Sequence, residues 1–209
     1  ETLFTKPEDD FIKAVEEIAT SLNASQQEFQ KKNGPFDEYF AEVISEEINF
    51  SIAVTKLNYP RYYASLSADD NLILSDTYDS FLQNLEIDAD DNLMLPSYKT
   101  FVLLLLDFKI NNDDNDLSVS SNIKKFNSVS TIFQSEKVKN HIYYSMMSEM
   151  METSINDVGV LIEQYSLVQT NKKYKEEILS AYNSWSTLLK GNIAPNFTCE
   201  TPNEIGRAH

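Results

Sequence analysis

Cysteine, glycine, proline, histidine and basic residues are all scarce in this 209-residue chain, and each shortage excludes something. A single cysteine, Cys199, leaves no internal disulfide to form and says little about redox compartment. With 4 Gly and 6 Pro the chain lacks the turn residues that a β-sandwich or barrel consumes. The same shortage of glycine leaves no phosphate-cradling loop and no nucleophile elbow, so nucleophilic and phosphoryl-transfer chemistry have no sequence support. The longest apolar run, Phe101 to Leu106, is far too short for a membrane span, and Glu1 to Thr5 has no signal-sequence character. Basic residues number 17 against 33 acidic ones. The net charge of −16 repels nucleic-acid phosphates and anionic lipid headgroups, which argues against nucleic-acid binding, as the short apolar run argues against membrane insertion.

What is present is helical periodicity in a chain that is 42% hydrophobic. Phe11, Val15, Ile18 and Leu22 form one stripe, preceded by Pro7 and by Glu8, Asp9 and Asp10 at the positive end of the helix dipole. A second helix follows Gly34-Pro35 with Phe36, Phe40, Val43, Ile44, Ile48, Ile52 and Leu57. Pro60 is expected to interrupt it, with Tyr59 pushed out of helical dihedrals and a short helix resuming at Arg61. Ser75-Asp76-Thr77 offers a cap for a helix with Tyr78, Phe81, Leu82 and Leu85, and Pro96-Ser97 opens one with Phe101, Val102, Leu105 and Phe108. Asn111 to Ser121 reads as the most mobile loop and as a hinge between two helical halves. Beyond it come stripes at Ile123, Phe126, Val129 and Phe133; at Val138, Ile142, Met146 and Met150; at Val158, Leu161, Ile162 and Tyr165; and at Tyr174, Ile178, Tyr182, Trp185 and Leu189, closed by Gly191. No residue pattern repeats at a solenoid period. The expected fold is all-α, an irregular array of about eight or nine antiparallel helices with an extended C-terminal tail.

Candidate chemistry is thin. Asp88, Asp90 and Asn92 have the spacing that opens a calcium loop, but Leu93 replaces the required glycine and Lys99 the closing glutamate, so a solvated acidic turn is expected. Asn111 to Asp116 fails in the same way. His141 has no second histidine or cysteine nearby to complete a zinc site and reads as a partly exposed structural residue. Glu38, Glu42, Glu46 and Glu47 fit a wetted helix face better than an acid–base pair. Met146, Met147, Met150 and Met151 fit core filling better than an adaptable binding face. No catalytic, cofactor-binding or metal-ligating residue is assigned. Tyr59, Arg61, Tyr62 and Tyr63 form a candidate partner surface, because Tyr and Arg anchor protein interfaces, although the tyrosines also suit half-buried packing.

The end of the chain carries a resemblance. Lys190-Gly191 followed by Ala194-Pro195-Asn196-Phe197-Thr198 resembles the entry into a TlpA-like thioredoxin domain, where Gly-x-x-Ala-Pro-x-Phe-Thr leads from a helix into the first strand. EEINFSIAVTKLNYPRYY (Glu46 to Tyr63), SDTYDSFLQNL (Ser75 to Leu85), LPSYKTFVLLLLDF (Leu95 to Phe108) and Ile178 to Lys190 are similar to the helical region that precedes that domain in envelope-located bacterial members of the family. The resemblance implies a helical domain over residues 1–190. It places a linker and first strand of a truncated thioredoxin-like domain at 191–205; residues 206–209 look like a tag remnant. It further implies a non-catalytic accessory domain of a thiol–disulfide oxidoreductase in the periplasm or cell envelope, with its signal or lipoprotein anchor outside the sequence. That domain would position the redox domain or bind a thiol or disulfide client. The family's Cys-x-x-Cys pair would lie beyond Ile205, and Cys199, with no partner two residues away, does not replace it.

Two other readings stay open. One is a free-standing helical module that binds protein or glycan through the tyrosines around Tyr59 to Tyr63. The other is a metal-dependent helical hydrolase built on the acidic clusters.

Overall fold

The computed structural model describes residues 2–67, 72–113 and 120–187. Among these residues are seven α-helices and three short 3-10 helices, with no strand, so the chain is all-α as its composition demands. The expected extended tail, Leu189 and the Gly191 cap lie outside the described residues, as does Cys199.

Helix α1 (Glu8–Asn33) starts behind Pro7 with three carboxylates in its first turn and ends at Gly34, whose φ of 94° suits a residue without a Cβ. Asp37 then caps α2 (Glu38–Leu66), its side chain accepting from the Phe40 amide at 3.0 Å. The stripe expected on α1 is only half used: Phe11 and Val15 are buried, whereas Ile18 and Leu22 are exposed. From Glu16 to Asn49 no residue of either helix is buried, so the far half of α1 and the near half of α2 form a thinly covered arm that meets the body through Tyr39, Val43 and Glu47.

Pro60 does not end α2, which runs on to Leu66 with the proline inside it. A proline within a helix leaves the carbonyl four residues earlier without its amide donor. Here that carbonyl belongs to Lys56, and the Tyr78 hydroxyl donates to it at 2.7 Å. Burial, with Tyr59 and Glu8 adding to it, raises the Tyr78 pKa well above the usual phenol range and keeps the hydroxyl protonated as a donor. Tyr59, instead of leaving the helix, is a fully buried helical residue stacked on Phe11 with ring centroids 4.0 Å apart. Ser75 to Thr77 supply no side-chain cap, and Tyr78–Asn84 is a 3-10 helix instead of an α-helix.

Continuous α2 therefore walls two apolar clusters. Phe11, Val15, Tyr59 and Tyr78 make the smaller one. The larger one runs from Phe50, Ala53 and Leu57 through α3 (Pro96–Asp113) into α4 (Ser121–Ile132), α5 (Glu136–Thr153), α6 (Ile155–Val168) and α7 (Lys172–Ser186). This core spans the expected hinge at 111–121. Helix α3 also takes the first three residues of that stretch, and residues 114–119 lie outside the described ones. Helix α3 carries the run Phe101 to Leu106 and packs against α2, the 3-10 helix Asp91–Met94, α4 and α5. Phe133, expected on the α4 stripe, is the extended residue that ends the helix, and it remains buried. All four neighbouring methionines, Met146, Met147, Met150 and Met151, are core residues.

The turn between α6 and α7 is fixed to α5 by a polar knot. Gln169, fully buried, donates through Nε2 to the Asn140 carbonyl at 2.9 Å, and the Asn140 side chain accepts from the Thr170 amide and donates to its hydroxyl. Each of these buried groups is paired, which is the condition for burying them at low cost.

Removing the Tyr78 hydroxyl is expected to cost about 1–2 kcal/mol, because the Lys56 carbonyl is then left unpaired. In a Pro60→Ala background the restored amide serves that carbonyl, and Tyr78→Phe is expected to cost clearly less. Urea denaturation of the four proteins measures the coupling; equal costs in both backgrounds contradict the substitution of hydroxyl for amide.

Candidate functional site

The four residues of the expected partner surface do not share one face. Tyr59 is enclosed, its hydroxyl donating to the Lys6 carbonyl at 2.8 Å, and burial followed by Tyr63 and Glu8 pushes its pKa up to about 12. Tyr63 is half-buried with its ring against Tyr59, and Tyr62 is 43% exposed but packs on Phe4 at 4.8 Å between centroids. Arg61 is exposed and lines an open cleft. As a correction, Tyr59 belongs to the core and cannot contact a partner.

A larger exposed aromatic surface lies on the arm. Phe29 (54% exposed), Phe36 and Phe40 (46%) form a chain of ring contacts at 5.6 and 4.9 Å across the α1–α2 turn. Tyr39, 63% exposed, reaches from the arm to Met94 of the body, its hydroxyl 3.1 Å from the sulfur. Between Glu16 and Glu47 carboxylates outnumber lysines eight to two, so this apolar patch has an acidic rim. Large exposed aromatics grouped in this way mark interaction surfaces more often than isolated ones do. The signal was present in the sequence as Phe29, Phe36 and Phe40 on either side of Gly34-Pro35, but periodicity assigned two of these rings to a buried stripe.

A cleft of about 360 Å³ opens between α3 and α5, closed at one end by the start of α4 and the end of α2. Helix α5 lines it with His141, Ser145, Glu149 and Thr153, four positions spaced by four that form one row on a helix. Helix α3 contributes Lys99, Leu103 and Asp107. Asp107 pairs with Lys125 at 2.8 Å. His141 is half-buried; its Nε2 has no hydrogen-bond partner among the described residues, and burial followed by the Lys99 charge holds its pKa below the ordinary imidazole value.

The acidic turn at 88–92 is not simply solvated. Asp88 accepts from the backbone amides of Gln134 at 2.6 Å and Ser135 at 3.0 Å, and Asp90 accepts from the Ser135 hydroxyl and pairs with Lys137 at 3.2 Å. Both carboxylates thus sit on the N-terminal end of α5, where the helix dipole favours negative charge. Glu47 of α2 does similar work for α3, accepting from the Ser97 hydroxyl at 2.7 Å. Among the described residues no group of three or more histidine, cysteine or carboxylate side chains is placed to hold a metal. Asp88 and Asp90, among the acidic residues of the hydrolase reading, are engaged with the start of α5. Likewise, no helix among the described residues is long and apolar enough to cross a membrane.

No protein-family model, curated protein or solved structure matches the chain.

Asp157 accepts from Ser120, Asn122 and Ser154 at 2.8, 2.9 and 2.9 Å, joining the starts of α4 and α6. Burial alone would raise its pKa, but the bonds from Asn122, Ser120 and Ser154 outweigh it and hold the carboxyl below its usual range. The hydrogen bond from Ser135, opposed by burial and helped by Lys137, does the same for Asp90. A carboxyl with a depressed folded-state pKa stabilises the fold above its unfolded value, about pH 4, and that contribution disappears as pH falls through the folded value. Thermal melts from pH 7 to pH 2 are expected to show Asp157→Asn less stable at neutral pH and closing the gap to the parent protein in acid. A gap that is constant with pH contradicts the assignment.

Proposed function

We propose that this chain is a non-catalytic helical accessory domain that binds a protein client for a TlpA-like, thioredoxin-type thiol–disulfide oxidoreductase of the bacterial periplasm or cell envelope. The redox part of the reading rests on the resemblance of the Ala194-Pro195-Asn196-Phe197-Thr198 segment and of the helical sequence before it. The client-binding part rests on one observation, the acidic-rimmed aromatic face of the arm. Its apolar centre and surplus of carboxylates suit a client surface that is apolar with a rim of lysine and arginine, and they oppose docking of a second, equally acidic copy. Helix α1 packs on α2, whereas α7 packs on α5 and α6. The arm is thus separated by the intervening helices from the last described helix, which favours a client over the domain implied to follow α7. The same face would serve a free-standing binding module, so the redox assay decides between them.

With dithiothreitol as electron donor, the longer protein implied by the resemblance is expected to reduce insulin, and residues 1–190 alone are not. An inactive longer protein overturns the oxidoreductase reading. With a basic disulfide-bonded protein as substrate, Phe29→Ser/Phe40→Ser is expected to raise KM about tenfold, the loss of one good apolar anchor, with kcat unchanged. An unchanged KM removes the arm from client binding.

A further inference from the structure

We propose that the cleft between α3 and α5 binds a small organic anion, with its acid group at Lys99, beside the His141 ring, and its hydrocarbon part on Leu103 and Met146. The inference is independent of the oxidoreductase reading. In a chain of charge −16, this cleft is lined by Arg61, Lys99, Lys125 and an imidazole, with Lys125 at the Asp107 end and Lys99 beside His141. Asp107 already neutralises Lys125 at 2.8 Å. Lys99 and Arg61, by contrast, make no ion pair among the described residues. Lys99 is also near enough to His141 for its charge to oppose protonation of the ring.

Glu149 is the other acidic residue of the cleft, and it lies eight residues beyond His141 on α5. Two turns and more of helix separate them by about 12 Å, beyond the distance over which salt screens exposed charges. A carboxylate at the Lys99 end is therefore free of it. The His141 ring forms part of the cleft wall beside Lys99, with its Nε2 enclosed behind that wall, so the imidazole reports on the site without itself holding the ligand. Leu103, Met146 and Met150 line the same cleft and can cover a short alkyl chain. At about 360 Å³ the space falls at the small end of ligand sites, which suits a monocarboxylate of a few carbons.

Hexanoate is a direct probe, read by the imidazole proton resonances of His141, assigned as those missing from His141→Gln. The expected result is a saturable millimolar shift that weakens about tenfold in Lys99→Gln, the loss of one charge-assisted bond, and is unchanged in Lys172→Gln on α7. Hexylammonium is expected to give no saturable shift. The proposal is overturned if hexanoate gives no saturation up to about 50 mM, a range that reaches binding weaker than 4 kcal/mol, or if Lys99→Gln binds as well as the parent protein.

Discussion

A single hydrogen bond, from the Tyr78 hydroxyl to the Lys56 carbonyl, makes good the donor that Pro60 removes from α2. The helix it sustains carries residues of both apolar clusters: Phe50, Ala53 and Leu57 upstream of the proline face α3, and Tyr59 faces α1. A break at Pro60 would leave Tyr59 at a frayed helix end and loosen its stacking on Phe11. The bond also explains the short segment around Tyr78, which is held by its ring contacts and this hydroxyl instead of by a regular helix of its own.

The large acidic surplus is spent in part on helix starts. Asp88 and Asp90 meet the first turn of α5, Glu47 the first residues of α3, and Asp157 the beginnings of α4 and α6. In each case a carboxylate from one element accepts from groups at the start of another, so charge that reads as surface decoration also fixes the order of packing. These contacts join a loop to a helix across 46 or more residues for Asp88 and one helix to another across 50 for Glu47, distances that local sequence patterns do not encode.

The helices themselves were legible because α3, α5, α6 and most of α7 carry apolar residues at intervals of three and four. Their all-α class followed from the same stripes and from the lack of glycine and proline. The break assigned to Pro60 was wrong because the rule for proline considers only the helix, and the missing bond is made from residue 78. The buried stripe extended too far along α1 for a related reason: spacing shows which face is apolar, not whether a neighbour covers it. The asparagine and glutamine that lock the α6–α7 turn gave no sequence signal, since Asn140 and Gln169 acquire their roles only from each other. His141 was visible as a residue but not as part of a cleft, because Lys99 joins it from another helix.

The surface divides into an arm with an acidic-rimmed aromatic patch and a body with a small cleft, and the client-binding proposal requires the far half of α1 to be thinly covered. Amide hydrogen exchange resolved by residue tests this directly. Amides of α3 from Phe101 to Leu106, with those of α2 from Phe50 to Leu57, are expected to exchange at the slow rate set by global unfolding, and those of α1 from Ile18 to Asn33 much faster. Equal slow exchange in both regions would contradict this, because the arm would then be part of the core.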